Sequence, residues 1–411
     1  MNKFDSMGNQ DIKENFKTSL RINSIDIFRA ITMFLMIFVN DLWTLEGMPK
    51  WLLHAEANED YLGFSDIIFP SFLFIVGLSI PLAIQARQIK GETDKNTFFH
   101  VISRAASLLI MGFFHVNLSS YNDSLALLPK PVWQILITVS FFLIWLDYRH
   151  LKNRNQEYTL RITGLLLLIA LAVLYKGGEI GNPQWMQPQW WGILGLIGWA
   201  YLFAAMAYLF IGGRLAVHLT LFILLFIYNI SLHAGWFNSI MTMISQVDLI
   251  GNGSEAALVM AGMISTLWYQ RHLKQKISYP QYITGLAVAA LILGLVGLLL
   301  RPYWGISKIS ATPSWISICL AINLIILFVF TFLIDKKSQK HIFKVIKPAG
   351  TSTLTCYLLP YIHYALLSLT ALTLPLILRT GILGIFKSLL YALIIIVITG
   401  LLEKFRIRLK I

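Results

Sequence analysis

Charge is scarce in this chain. Of 411 residues only 13% are Asp, Glu, Lys or Arg, against 57% hydrophobic, and the mean hydropathy is +0.68. A water-soluble protein of this length has too little interior to hide that much apolar surface, which excludes a soluble enzyme and a disordered chain alike. Cysteine is scarcer still. Cys319 and Cys356 both lie in apolar runs, and neither sits in a CxxC or zinc-like spacing. A disulfide framework and a metal site are therefore not expected. HExxH, Walker A, GxSxG and GxGxxG motifs are missing too, which removes the zinc-protease, P-loop, hydrolase and dinucleotide readings. Residues 1–20 hold no signal-peptide h-region and no cleavage site. They are expected to form a short cytoplasmic tail ahead of an uncleaved first helix.

What the chain does have is long apolar runs. Stretches of about 20 residues, enough to cross a bilayer, fall near 27–45, 66–86, 98–117, 132–148, 160–175, 190–211, 215–233, 255–270, 281–300, 314–334, 350–371 and 383–402. The expected fold class is an all-α polytopic membrane protein with about twelve transmembrane helices. Residues 21–411 read as a single integral-membrane domain, within which 190–233 is a tight helical hairpin turning at Gly212-Gly213-Arg214. Lys and Arg, 33 against 20 Asp and Glu, gather in alternate loops such as Arg87–Lys95, Arg149–Arg154 and Arg271–Lys276. That is the positive-inside pattern, and it places both termini in the cytoplasm. The basic balance is topology, so no nucleic-acid partner is expected. The opposite side is rich in Trp, among them Trp43, Trp51, Trp185 and Trp304, as interfacial anchors are.

The stretch from Arg21 to Ala83 is unusual, because ionisable residues sit where lipid makes them costly. Asp26 and Arg29 stand at the mouth of the first apolar segment, three residues apart and so on one helix face. Asn40 and Asp41 stand at its far end, His54 lies in the following loop, and Asp66 opens the second segment. A loop histidine can serve as a general base or as a transient acyl carrier; it can equally be an interfacial residue touching water. Asp66 could orient its ring, or be a helix N-terminal acid favoured by the dipole. Asn40 could donate to a developing oxyanion. Arg29 could meet an anionic cofactor, or simply pair with Asp26 at the interface. Arg104, two turns into its helix, could snorkel or bind phosphate. His115, Asn117 and His233 approach the outer helix ends, where satisfied interfacial residues are commonest.

Several of these residues fall into a recognisable order. Ser24-Ile25-Asp26-Ile27-Phe28-Arg29, Met36–Asn40, Leu53-His54-Ala55, Ser65–Pro70 and Phe72–Gly77 resemble the heparan-α-glucosaminide N-acetyltransferase family of transmembrane acyltransferases. The likeness is strongest to its bacterial members, including a group known as a domain of unknown function. Weaker matches are Lys308, Thr312 and Ser314, and Gly350 with Tyr357. The resemblance implies a transmembrane acyltransferase-like bundle in a bacterial inner membrane, with His54 as catalytic residue and Asp66 and Asn40 beside it. It also implies acetyl-CoA as cytoplasmic donor, met by Arg29, Asp26, Arg104, Lys308 and Tyr357. The implied acceptor is an amino sugar or glycan on the outer side. Other expected partners are membrane lipid and a second copy in a homodimer. The chain departs from the family at Gln134-Ile135, at Ser352 and in the loop Glu56–Asp60, so the resemblance does not fix the acceptor.

A transporter for a sugar or cell-wall fragment is the competing function, since it would use the same intramembrane polar groups as a path. No internal repeat is visible, which speaks against the inverted-repeat carriers. Acetyl-CoA dependence separates the two readings.

Overall fold

The computed structural model describes residues 22–151, 153–236, 251–336, 343–370 and 372–411; the expected tail at 1–20 lies outside them. Helices stand at every one of the apolar runs, and among the described residues they are joined by loops, short 3-10 turns and one short hairpin. Among the described residues the α-helices are, in chain order, α1 Asn23–Asp41, α2 Ser65–Ile89, α3 Asp94–Val116, α4 Lys130–Trp145, α5 Arg154–Leu174, α6 Ile193–Ile211, α7 Leu215–His233, α8 Ser254–Leu273, α9 Tyr279–Trp304, α10 Pro313–Phe330, α11 Lys347–Thr351, α12 Thr353–Thr370 and α13 Gly381–Lys404. The two strands, β1 Gly177–Glu179 and β2 Asn182–Gln184, pair antiparallel. Among the described residues, eight helices are long and apolar enough to cross a membrane. Apolar helices of this length make the chain an integral membrane protein.

The chain forms two compact units, one comprising Met1–Phe28, His54–Ile102 and Trp199–Ile342, the other Arg29–Leu53, Ser103–Gly198 and Phe343–Ile411. In the first unit α2 packs on α8 with almost nothing between the backbones. A Cβ at Gly77 would fall 1.8 Å from the Val259 carbonyl oxygen, and one at Gly262 would fall 1.9 Å from that of Phe74. Small residues permit such approach, which replaces the hydrophobic drive that lipid cannot supply. Thr266 Oγ1 donates across the seam to the Leu78 carbonyl at 2.7 Å. Helices α9 and α10 also pack together. Helix α9 begins at a capping box of Ser278 and Gln281, and α10 begins at Thr312, whose side chain accepts from the Trp315 amide, with Pro313 at the first helical position. Helix α10 widens into a π turn over Thr331–Lys336. There Asp335 accepts from the Ser24 hydroxyl at 2.6 Å and from Tyr269 at 3.4 Å.

The second unit is built on α4, which packs against α5 and α12. At its centre Trp133 is fully buried and donates to the Leu171 carbonyl at 3.0 Å, with Phe114, Tyr121 and Tyr175 rings around it. Helix α4 stops at Trp145, short of the expected end at 148, because the next residues leave to bind the C-terminal segment. The Asp147 amide donates to the Arg408 carbonyl at 2.9 Å, and the Lys410 amide to that of Trp145 at 2.8 Å. The single helix expected over 350–371 is two, broken at Ser352, whose φ −127° and ψ 46° are not helical.

Candidate active site

The first unit carries the site. Asp66 is the second residue of α2 and is buried, 1% exposed, whereas the His54 side chain is 47% exposed. One carboxylate oxygen, Oδ2, accepts from the backbone amides of Ala55 at 3.0 Å and Gly63 at 3.1 Å. The other, Oδ1, lies 2.7 Å from His54 Nδ1. A carboxylate can only accept, so Nδ1 carries the proton and donates to Oδ1. Nε2 then holds the lone pair, on a ring half open to solvent. The short loop Ala55–Gly63 is thus wrapped about the carboxylate that fixes the ring's tautomer. This arrangement suits a base or a nucleophile.

Lys308 lies beside this pair, its Nζ 3.2 Å from His54 Nδ1. Because Nδ1 is committed to Asp66, the ammonium acts here through its charge. Burial lowers the Lys308 ammonium from its ordinary range, and the Asp66 carboxylate pulls the other way. The turn that presents Lys308 is tightly fixed. Gly305 has φ +63° and Ala311 φ +49°, and the Thr312 hydroxyl accepts from the Ser307 amide at 3.1 Å. His233 and Asn252 approach the Ser310 carbonyl at 3.0 and 3.4 Å.

Asp60 joins the two loops. It pairs with Arg301 at 2.9 Å and accepts from the Ile306 amide at 2.7 Å, while the Ser307 hydroxyl donates to the Ala57 carbonyl at 3.2 Å. Burial would raise the Asp60 carboxyl, but Arg301 and the Ile306 amide hold it below the usual carboxylate range. So the His54 loop and the Lys308 turn, some 250 residues apart in sequence, are bonded to one another.

The other expected residues are distributed as follows. Asp26 lies in the first unit and Arg29, Asn40, Arg104 and Tyr357 in the second; Tyr357 is buried and the other four are half-buried. Sequence reasoning underrated Asp41, next to Asn40. Buried in the second unit, it accepts from Tyr364 at 2.6 Å, Lys387 at 2.7 Å and Ser388 at 2.7 Å. Lys387 also donates to Thr44 at 2.7 Å. A lone lysine inside an apolar run (387 in 383–402) was the available signal, since such a charge needs a partner. Among the described residues no group of three or more His, Cys, Asp or Glu is gathered as a metal site would need. Cys319 and Cys356 are free and buried.

The model of a family described as "Domain of unknown function (DUF5009)" matches residues 21–249, more than half of the chain. A stretch of 97 residues is 32% identical to heparan-alpha-glucosaminide N-acetyltransferase of Homo sapiens and 29% identical to that of Mus musculus. The match covers 24% of this chain and 14% of the length of each of these relatives.

Proposed function

The chain belongs to the DUF5009 family, and we propose that it is a membrane acyltransferase moving an acetyl group from acetyl-CoA to an amino sugar or glycan. The observation that carries this reading is the His54–Asp66 pair, in which a buried carboxylate leaves Nε2 of a half-exposed histidine as the free basic nitrogen. The likeness to two N-acetyltransferases supports the reaction class.

In the proposed reaction the acceptor's N–H or O–H faces His54 Nε2. As the acceptor atom attacks the thioester carbonyl, Nε2 takes its proton. The C–N or C–O bond forms, the C–S bond breaks, and the proton passes from Nε2 to the departing thiolate. The same geometry also serves a two-step route: Nε2 attacks the carbonyl and the C–S bond breaks to release the thiolate, then the acceptor displaces the acetyl group from Nε2 and its proton goes to the thiolate. Asp66 holds the ring and balances the imidazolium charge in either route. Lys308 resembled a donor-binding residue, but its contact with His54 supports a place at the reacting centre. There it would stabilise the negative oxygen of the tetrahedral intermediate; for Asn40 the proposed role as an oxyanion donor rests on the sequence and the family resemblance alone. Arg29 and Arg104 remain phosphate-binding candidates, and Asp26 and Tyr357 candidates for other donor contacts.

The reading extends to topology. Residues 21–411 act as a single domain of twelve spans in a bacterial inner membrane, with both termini cytoplasmic. The donor comes from the cytoplasm and the acceptor from the other side. The test is acetyl-CoA binding by the purified protein, followed by an acceptor screen read by mass spectrometry. Acetylated sugar is the expected product. Sugar uptake into vesicles without acetyl-CoA, and no acetylation, would favour the transporter instead.

A further inference from the structure

His115 ends α3 in the second unit, where a satisfied interfacial histidine was expected. It is not satisfied. Both ring nitrogens are shut off from solvent, and among the described residues neither has a hydrogen-bond partner. A neutral imidazole carries one N–H and one lone pair, so a donor and an acceptor are orphaned in one side chain. Such groups are expensive to leave unmet, and in native proteins each calls for an explanation.

The surroundings narrow the explanation. The imidazole stacks on Tyr361, centroids 4.0 Å apart and planes within 10°, and the Phe141 ring meets it edge-on at 5.5 Å. The Tyr361 hydroxyl lies 3.1 Å from that of Tyr357. One proton bridges that pair, which leaves the other without a protein acceptor among the described residues. The Tyr361 carbonyl is already taken by Gln134 Nε2 at 2.7 Å. Flat faces and uncharged hydrogen-bonding atoms therefore crowd one spot inside a helical unit. A charged ligand would find no counter-charge there, and an alkyl chain would leave the imidazole unmet.

We propose that His115, stacked on Tyr361, is a subsite for a secondary amide, whose C=O and N–H would meet the imidazole N–H and lone pair. The inference rests on the acyltransferase reading. Two sources offer this group: the amide-bearing thiol arm of acetyl-CoA, and the N-acetyl group of an acetylated amino sugar.

The test uses the full-length protein in detergent and the His115→Phe and His115→Gln variants. Phe keeps the stacking and removes both polar atoms; Gln keeps a donor and an acceptor. The empty His115→Phe protein should melt higher than wild type, by about 1–3 °C, because two orphaned atoms are gone. It should bind its ligand about 10-fold more weakly, the loss expected for a buried hydrogen-bonding partner, and His115→Gln should recover most of the affinity. Titration with acetyl-CoA and separately with N-acetylglucosamine identifies the source, as only one of the two should weaken. A His115→Phe protein that melts lower, or fails to fold, overturns the proposal, since the ring would then belong to the packing or to a bound water. Unchanged affinity for both probes also overturns it while leaving the acyltransferase reading intact. Wild-type protein that binds neither probe would remove both.

Discussion

Asp66→Asn is the substitution that probes the site most finely, because it keeps shape and removes a single acceptor. In the native protein three donors converge on the carboxylate: Ala55 N and Gly63 N on Oδ2, and His54 Nδ1 on Oδ1. Asparagine has one accepting oxygen and must choose. If the oxygen serves His54, the amide NH2 faces two backbone N–H groups and strands both, at roughly 1–3 kcal/mol each. If it serves the backbone amides, the NH2 faces Nδ1 and costs only the exchange of a charged acceptor for a neutral one. The second arrangement wins by several kcal/mol on this count. Nδ1 must then accept, and the ring proton moves to Nε2, the atom that has to be free. The expected result is a turnover loss within about 10²–10⁴-fold, the range for losing a general base, and smaller than that of His54→Ala. Acetyl-CoA affinity should be nearly unchanged. The assay is acetylated product per minute against a fixed acceptor, with the dissociation constant measured in parallel and a melting curve as folding control. Wild-type turnover in a folded Asp66→Asn protein would refute the tautomer argument.

Lys308→Met should lower kcat by about 10²-fold, as the loss of one oxyanion-stabilising donor does, and leave KM for acetyl-CoA nearly unchanged; a raised KM with intact kcat would return Lys308 to donor binding. Gly77→Ala should lower the melting temperature sharply, because its Cβ would sit 1.8 Å from the Val259 carbonyl oxygen. Overpacking of this kind typically costs about 1–3 kcal/mol and more where backbones must part, so an unchanged melting curve would contradict the close α2–α8 seam. Asp147, held by Arg149 and Arg408 at 2.6 and 3.1 Å, has its carboxyl pulled well below the usual range, chiefly by Arg149 and against the effect of burial. A depressed carboxyl stabilises the fold above the unfolded value of about 3.9 and loses that contribution as pH falls towards the folded value. Asp147→Asn should therefore destabilise at pH 7 by about 1–2 kcal/mol, discounted for the exposed arginines, with the difference from wild type shrinking below about pH 4. A difference that stays constant with pH would contradict it.

The helices were legible because apolar runs of membrane length announce themselves, and each expected run is helical. The ends were less so. Helix α4 gives up its last turn to a C-terminal segment about 260 residues away, which no local pattern records. The break at Ser352 falls just inside an expected helix, in the polar stretch Gly350-Thr351-Ser352-Thr353, and the π turn at Thr331–Lys336 carries the chain past the end of its apolar run to Asp335 and Lys336. For the site, His54 and Asp66 were readable because they flank one short loop, and the structure joins them at 2.7 Å. Lys308 stands out in the sequence only through the family resemblance, as a donor-binding residue, because its 254-residue separation from His54 hides their contact. Asp41 and Lys387 illustrate the same difficulty: each is a visible anomaly in an apolar run, and only the packing pairs them. His115 went the other way. The usual fate of a histidine at a helix end is to find a partner, and the described residues give its ring nitrogens none.

The most direct test of the proposed activity is transfer of labelled acetyl from acetyl-CoA to an amino sugar by the purified protein, measured for wild type and for His54→Ala. Wild type should yield acetylated sugar. The variant should still bind acetyl-CoA and fold, yet form product at least about 10²-fold more slowly. Equal rates for the two proteins would contradict the assignment of His54 and leave its pairing with Asp66 a structural feature of the loop.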